Sequence, residues 1–405
     1  MENQGKTFLC ISNFFKGNAF ITQLKKQGNR VFLITSEKLK DKPWAFEYID
    51  EIFYMPGQDL DWDLNLLLKG VGGLMKSHKI ESIISLDDYD VEKATFLREN
   101  LRISGMGQTT GRYFRDKLAM RVKAKESGIK VPAFSSLFHD DDINHFADNV
   151  AAPWVLKPRS EASANGIIKV HDKDSLWKHI HELGENRLYY LVEQFKPGDV
   201  YHADGLQLEG KNLFCCVSRY LATPMEISQG GGIFRSANIQ YNSNDDKAIK
   251  KANSEIMKAF GMKSGATHTE FIKCKEDGEI YFLETSSRVG GAHLAEMVEA
   301  ASGINLWEEW AKIEDCQAKN SKYNLPKVSK DYAGIVLTLA NVEHPDLSSF
   351  DDDEVYFRVP LEYHAGLIVK SKKQERVLEL LDNYAARLSD GISTVADAPE
   401  LKKFH

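Results

Sequence analysis

The chain has 405 residues, a net charge of −7 at pH 7 and 42% hydrophobic residues. This length accommodates two or three domains with their own cores, and the composition excludes a disordered protein or a coiled coil. The negative charge provides no overall attraction to nucleic acid or to an anionic membrane. Small molecules are therefore the expected partners.

The sequence shows no targeting signal. The N-terminal stretch "MENQGKTFLCISNFF" lacks a basic segment followed by an apolar core, and no apolar run reaches the roughly 18 residues of a membrane span. We expect a cytoplasmic protein. Five cysteines without CxxC spacing are expected to be reduced thiols, mostly in the core.

Residues 1–112 alternate between short β-rich runs, such as "KTFLCIS" and "RVFLITS", and amphipathic helical segments. This alternation predicts a parallel sheet with crossover helices, in a Rossmann-like domain. The first βα turn, "SNFFKGNAF", has one glycine where a dinucleotide fingerprint needs three. A nicotinamide or flavin cofactor is not expected there.

The strand "IESIISL" ends at Asp87 and Asp88. Ligands of open α/β sheets bind at the carboxyl ends of strands, so Asp87 or Asp88 is a candidate substrate contact. Alternatively, Asp88 caps the following helix.

After a turn-rich linker at residues 105–111, the pattern changes to α+β, with a small antiparallel sheet and helices beside it. From about residue 331, the strands "YAGIVLTLA" and "GLIVKS" and the helix "QERVLELLDNYAARL" predict another α+β unit.

Two acidic residues carry the strongest chemical signal. Glu270 in "THTEFIKC" and Glu284 in "EIYFLETSSR" lie near each other if their strands pair across the Asp277–Gly278 turn. Carboxylates brought together suit a Mg²⁺ or Mn²⁺ ion that also binds phosphate oxygens and water. The alternative is two exposed glutamates on a hairpin.

Arg288 follows this hairpin, and the pair Gly290–Gly291 lets the backbone turn closely around a bound group before the next helix. An arginine beside a metal–phosphate site can bind a phosphoryl group or a carboxylate through two parallel hydrogen bonds. The alternative is a surface arginine paired with Glu296 or Glu299.

Basic residues upstream complete the pattern. Lys117 and Arg121 share a helical face in "RDKLAMR", and Lys157 follows the strand in "WVLKPRS". A loop of small residues beginning at Ser160, "SEASANG", can wrap phosphates with backbone N–H groups. Glu193 in "YYLVEQFKPG" alternates with apolar neighbours, as a residue contacting an adenine amino group would.

In this order, these motifs resemble the ATP-grasp superfamily of carboxylate–amine and carboxylate–thiol ligases, and are most similar to the branch of L-amino-acid ligases and carnosine-synthase-like enzymes. The resemblance implies a fold of α/β and α+β class. It comprises a Rossmann-like pre-ATP-grasp (substrate) domain at 1–112, a two-lobed ATP-grasp domain at 113–315 with its small lid lobe at about 125–195, and a C-terminal α+β segment at 331–405. It also allows a homodimer.

The resemblance assigns ATP contacts. Lys117 and Lys157 match the two lysines that contact phosphates, the latter near the small-residue lid. The segment "VEQFKPG" matches the hinge between the lobes, which implies that Glu193 meets the adenine amino group and that the backbone of Gln194 and Phe195 meets the ring edge.

Glu270 and Glu284 match the metal-binding acids of the family, and Arg288 matches the catalytic arginine of its E-x-N-x-R motif. The sequence departs from the family at Ser286, which stands where an asparagine is usual and whose hydroxyl is a poorer metal ligand. The binding of a second metal ion is therefore in doubt.

Two further contacts are expected from the resemblance. The acid that commonly holds the ribose falls at Val200, so Asp199 or Asp204 must replace it. Arg235, in the Gly-rich segment "SQGGGIFRSANIQ", is a candidate for a substrate carboxylate; the alternative is a solvated arginine in a loop.

The implied activity is ATP-dependent ligation of a small carboxylate, expected to be an amino acid, to an amine. The carboxylate is first converted to an acyl phosphate, with release of ADP, and the amine then displaces phosphate. The alternatives are a biotin-carboxylase-like or formate-activating enzyme, and a non-catalytic nucleotide-binding protein.

Overall fold

The computed structural model describes residues 5–57, 62–161, 166–230 and 232–394. These residues form three β-sheets with flanking helices. Within the same residues, no helix is both long enough and apolar enough to cross a bilayer.

The N-terminal sheet is parallel, with strand order β3-β2-β1-β4. The predicted alternation of strands and crossover helices is confirmed. Its elements are β1 (Thr7–Ser12), α1 (Asn18–Lys26), β2 (Arg30–Ser36), β3 (Glu51–Met55), α2 (Leu64–Leu74), β4 (Ser82–Ser85) and α3 (Val91–Leu101).

The predicted linker differs from the structure. Its last four residues, 108–111, belong to a short helix, α4 (Gln108–Arg112), which leads into α5 (Lys117–Glu126). Gly111 of α4 packs against Thr95 of α3. An added Cβ would come within 2.6 Å of the threonine methyl group, so the close approach of the two helices requires glycine at this position.

The small lobe is an antiparallel four-stranded sheet with order β5-β8-β6-β7, as predicted. Two amphipathic helices bury apolar residues against it. Its elements are β5 (Phe134–Ser136), α6 (Asp140–Asn149), β6 (Trp154–Pro158), β7 (Ile168–Val170), α7 (Lys173–Leu183) and β8 (Tyr190–Gln194).

The large sheet begins with the strand order β13-β12-β9-β10-β11. Side chains alternate between the two faces of a strand, so Tyr201 and Ala203 pack on the α9 side, while Leu206 packs toward α11. Its elements up to this point are β9 (Gly198–Leu208), β10 (Lys211–Tyr220), α8 (Pro224–Gly230), β11 (Phe234–Asn238), α9 (Asn244–Phe260), β12 (Gly265–Cys274), β13 (Ile280–Ser286), α10 (Leu294–Ser302) and α11 (Leu306–Lys319).

The C-terminal segment continues this sheet. Strand β14 pairs with β11, so the sheet continues in the order β14-β16-β15. Strand β17 also pairs with β14. The segment thus shares the large sheet instead of forming a sheet of its own. Its elements are β14 (Tyr332–Ala340), β15 (Val355–Arg358), β16 (His364–Ser371), α12 (Gln374–Ser389) and β17 (Ser393–Thr394).

The N-terminal domain packs directly on the large sheet. Phe20 of α1 contacts Trp310 of α11, with ring centroids 4.8 Å apart, inside a continuous apolar core. Asn29 donates a hydrogen bond to Asp315 Oδ1 at 2.6 Å across the same contact. This packing brings the carboxyl end of β4 toward the end of β13.

Candidate active site

A cavity of about 480 Å³ lies between the small and the large sheet. Residues 195–197, which connect β8 to β9, form part of its wall. The structure therefore brings together residues that are up to 167 positions apart in the chain, since 284 − 117 = 167. The sequence-predicted site residues in the wall are Lys117, Lys157, Glu193, Gln194, Phe195, Glu270 and Glu284.

Lys117 is positioned by the start of helix α5. The side chain of Asp116 caps this helix by accepting a hydrogen bond from the Leu118 amide at 3.0 Å. Lys117 Nζ then donates to the carbonyl of Glu161 at 2.6 Å and lies 2.8 Å from Glu284 Oε2. The ammonium group of Lys117 thus links the backbone of Glu161 to the β12–β13 hairpin.

Lys157, Glu193 and Arg121 form a buried ionic cluster. Glu193 Oε2 accepts a hydrogen bond from Arg121 Nε at 2.8 Å, and its Oε1 accepts one from Lys157. Burial disfavours the Glu193 carboxylate, but the two cations outweigh burial and lower its pKa to about 2. Burial lowers the pKa of Lys157 to about 8, and Glu193 opposes this effect.

The resemblance implies that Glu193 meets an adenine amino group, and the structure adds two cationic partners for its carboxylate. Each of its oxygens already accepts a hydrogen bond from a cation. The side chain is therefore directed to Arg121 and Lys157. Each carboxylate oxygen can accept a second hydrogen bond, so the contact with an adenine amino group stays a prediction.

The hinge backbone is also partly occupied. The amide of Gln194 donates to the carbonyl of Ala133 at 2.7 Å, and the amide of Phe195 donates to that of Pro153 at 3.0 Å. A ring-edge contact from Gln194 or Phe195 is thus limited to their carbonyl oxygens. Lys196, the next residue, also lies in the cavity wall.

The predicted β12–β13 hairpin is confirmed, and Glu270 and Glu284 are directly opposite each other in it. Tyr220 donates its hydroxyl hydrogen to Glu270 Oε1 at 2.8 Å. Burial raises the pKa of Glu270, but contacts with His268 and Tyr220 outweigh burial and lower it overall. Two carboxylates facing one cavity provide the oxygen ligands that Mg²⁺ or Mn²⁺ requires, so these residues fit a divalent cation.

Arg288 lies outside the wall of this cavity and pairs with the N-terminal domain. Its Nε donates to Asp88 Oδ2 at 2.8 Å, and its Nη1 donates to the carbonyl of Val289 at 2.8 Å. Burial raises the pKa of Asp88, but Arg288 outweighs burial and, with the charge of Arg115, holds it well below its usual range. The alternative pairing of Arg288 with Glu296 or Glu299 is therefore wrong.

Asp88 is not the cap of helix α3: a short 3₁₀ turn at Asp88–Asp90 precedes this helix, and Asp87 caps that turn. Asp87, not Asp88, accepts a hydrogen bond from the amide of Tyr89 at 3.0 Å, and it also pairs with Lys16. Asp88 is instead directed toward Arg288, and neither aspartate is in the cavity wall.

Several other predicted residues are not in the cavity wall: Ser160, Asp204, Arg235, Ser286, Gly290 and Gly291. Asp204 cannot hold a ribose there, because its fully buried carboxylate accepts hydrogen bonds from two histidines instead. Arg235 lies on strand β11 and pairs with Asp382 of α12, so it is neither in a loop nor solvated alone. Ser160 begins the predicted phosphate loop, of which residues 162–165 lie outside the described residues.

The sequence analysis assigned no role to three residues that hold the site in shape. Arg121 had a signal, because it shares a helical face with Lys117. His268 also had one, because it lies two positions before Glu270 and therefore on the same face of β12. No pattern in the sequence indicated Tyr220, since only the pairing of β10 with β9 and of β9 with β12 brings it close to Glu270.

Comparison with known proteins agrees with this architecture. Residues 150–296 match the family described as ATP-grasp domain. The fold follows that of L-amino acid ligase from Bacillus licheniformis, with a TM-score of 0.74 over 97% of this chain and 99% of that chain, at 18% sequence identity. The chain thus contains an ATP-grasp domain, and the recognition made from the sequence motifs is confirmed.

Two curated relatives extend the similarity. An L-arginine-specific L-amino acid ligase from Bacillus subtilis is 25% identical over 321 residues, which are 77% of this chain and 76% of the relative. A D-alanine–D-alanine ligase from Neisseria gonorrhoeae is 23% identical over 208 residues, which are 50% of this chain and 67% of the relative. Both relatives are named as ligases that join amino acids.

Proposed function

We propose that this protein is an ATP-dependent carboxylate–amine ligase. It activates a small carboxylate, an amino acid, and joins it to an amine with release of ADP and phosphate. The observation that carries the proposal is the placement of Glu270 opposite Glu284, with Lys117 and Lys157, around one cavity of about 480 Å³. Relatives named as amino-acid ligases support the same activity.

In this proposal the nucleotide lies in the cavity between the sheets. Lys117 and Lys157 neutralise its phosphates, and Arg121 and Glu193 hold Lys157 at the required position. The adenine ring lies against the hinge at residues 194–196. Because the amides of Gln194 and Phe195 donate to other backbone carbonyls, we assign the hydrogen bond to the ring edge to Lys196. Ser160 remains a predicted phosphate contact.

Glu270 and Glu284 would hold Mg²⁺ or Mn²⁺, which neutralises phosphate charge when bound. Ser286 remains a predicted ligand only. It lies at the end of β13, outside the wall of the cavity, which favours a site built on the two carboxylates.

The reaction has two steps. An oxygen of the substrate carboxylate attacks the γ-phosphorus, the bond to the β-phosphate oxygen breaks, and ADP leaves. The amine then attacks the acyl carbon, loses a proton, and displaces phosphate through a tetrahedral intermediate. Closure of the small lobe excludes water, which would hydrolyse the acyl phosphate.

Arg288 is the proposed catalytic residue for these anionic species. Its described contacts with Asp88 and Val289 use three of the five guanidinium donors. The remaining donors can bind an oxygen of the phosphoryl group or of the carboxylate, while Asp88 fixes the plane of the guanidinium.

The test is product analysis with Mg²⁺ and ATP over pairs of L-amino acids, followed by bicarbonate and formate. We expect equal amounts of ADP, phosphate and dipeptide, and only when both amino acids are present. Release of AMP and pyrophosphate would contradict the acyl-phosphate mechanism. Turnover with bicarbonate or formate alone would indicate the carboxylase-like or formate-activating alternative, and ATP binding without turnover a non-catalytic protein.

Glu284→Gln is the matched variant for this assay. It keeps the size of the side chain but removes its charge, so we expect turnover to fall by more than about 100-fold, beyond the loss typical of outer-shell metal residues. Glu279→Gln on the same hairpin is the control, because Glu279 pairs with Lys130 on the surface and should leave turnover unchanged.

A further inference from the structure

A buried polar cluster lies beneath the proposed metal site, on the same face of the large sheet. His268 and Asp204 are directly opposite each other on strands β12 and β9, and Glu270 is opposite His202. Asp204 and His202 are fully buried, and His268 is 8% exposed. Buried polar groups are costly unless paired, so the pairing within this cluster specifies how its members are oriented.

His268 connects Asp204 to Glu270. Its Nδ1 lies 2.8 Å from Asp204 Oδ1, and its Nε2 lies 3.6 Å from Glu270 Oε1. The shorter contact, with Asp204, fixes the plane of the ring, and Nε2 then points toward Glu270. Asp204 thereby fixes the orientation of the ring that faces Glu270.

The same oxygen of Glu270 also contacts Tyr220. Tyr220 donates its hydroxyl hydrogen to Oε1 at 2.8 Å, so Oε1 interacts with both Tyr220 and His268. Oε2 is therefore the oxygen left for a ligand in the cavity. A carboxylate restrained at one oxygen loses less conformational freedom when the other binds a cation.

Gly290 packs against this cluster from the segment that carries Arg288. A Cβ at residue 290 would lie 2.8 Å from Asp204 Oδ1 and 3.1 Å from His268 Nδ1. At Gly291 the corresponding space is open. The close approach of the Asp204–His268 pair thus requires glycine at position 290.

We propose that the buried Asp204–His268 pair positions Glu270 so that its Oε2 meets the divalent cation bound with the nucleotide. Asp204 and His268 act through Glu270 and are positioning residues. The proposal rests on the proposed function, because it requires a metal–nucleotide site at Glu270.

The test measures metal binding without turnover. Mn²⁺ binding to the full chain with ADP is followed by electron paramagnetic resonance, and ADP binding without metal is measured by calorimetry. We expect His268→Leu to weaken Mn²⁺ binding about 10- to 100-fold, as for other residues behind metal ligands, with ADP affinity in the absence of metal changed less than about 2-fold. Raising the Mg²⁺ concentration should restore part of the turnover of this variant.

Thr269→Val is the matched structural control. Thr269 is on the same strand, is fully buried, and shares a hydrogen bond of 2.8 Å with Thr285 on the opposite face. It should lower thermal stability without changing Mn²⁺ affinity. Unchanged Mn²⁺ affinity in folded His268→Leu would overturn the proposal, as would an equal loss in Thr269→Val.

Tyr220→Phe covers the case in which His268→Leu does not fold. It removes a single hydroxyl from Glu270 Oε1, and we expect Mn²⁺ affinity to fall by about 10-fold, at the lower end of the same range. Unchanged affinity in this variant would overturn the positioning of Glu270 through Oε1. Failure of the unmodified protein to bind Mn²⁺ with ADP would instead contradict the proposed function itself.

Discussion

Lys157 shows how burial changes the chemistry of a single residue. Burial and the nearby cations Arg121 and Lys117 lower its pKa to about 8, although Glu193 favours its charged form. The ordinary pKa of lysine is about 10.4, so Lys157 begins to lose its charge near physiological pH. Its interaction with a phosphate group should therefore depend on pH.

We predict that ADP binding weakens about tenfold between pH 7 and pH 9, because one proton is lost from Lys157 above a pKa of about 8. The pKa of Lys157 is lower in the folded than in the unfolded chain, so this residue makes the free energy of unfolding rise between pH 7 and pH 9. Weaker binding would thus not result from unfolding. Calorimetric titration at each pH measures the effect.

Lys157→Arg is the control for this prediction, because arginine remains charged over the whole range. Its affinity for ADP should be independent of pH between 7 and 9. An equal decline in the variant would assign the dependence to another group, and no decline in the unmodified protein would contradict the prediction.

At the scale of elements, strand β14 determines how the C-terminal segment docks. Gly334 on β14 lies beneath helix α12, and a Cβ there would come within 2.5 Å of Leu381 Cδ1 and 2.9 Å of Val377 Cγ1. The close packing of α12 on the sheet therefore depends on the absence of a side chain at this position.

We predict that Gly334→Ala destabilises the protein by about 1–3 kcal/mol, the usual range for overpacking of a core. Thermal denaturation measures the change. Gly70→Ala is the matched control: Gly70 is exposed in helix α2, with nothing within 4 Å of the added Cβ. Alanine favours a helix by about 1 kcal/mol over glycine, so the control should be neutral or stabilising. Equal destabilisation of both variants would contradict this account.

At the scale of the whole molecule, the large sheet joins the ATP-grasp domain to the C-terminal segment. Strand β14 pairs with β11 on one side and β16 on the other, and Ala333, Ile335 and Val336 are fully buried. Removing the segment would expose both the edge of β11 and the apolar residues of α10 that pack against β14, among them Leu294, Met297 and Ala301.

We therefore predict that a chain ending at residue 330 does not yield soluble monomer, whereas the full chain does. Size-exclusion chromatography of both chains, expressed side by side, measures the outcome. A soluble, cooperatively melting product of the shorter chain would show that the segment is an independent unit.

The sequence alone determined the local features of this protein. Period-two and helical patterns predicted the parallel N-terminal sheet and the β12–β13 hairpin, because these depend on neighbours close in the chain. The order of Lys117, Lys157, Glu270 and Glu284 was sufficient to recognise an ATP-grasp domain.

Tertiary structure alone decided the partners of the charged groups. Asp88 meets Arg288 across 200 positions, Arg121 meets Glu193 across 72, and Asp204 meets His268 across 64. A buried charge must find a partner wherever the fold brings one, and no local pattern specifies that partner. The sequence therefore placed Asp204 at a ribose, while the fold directs its carboxylate to His268 beneath the proposed metal site.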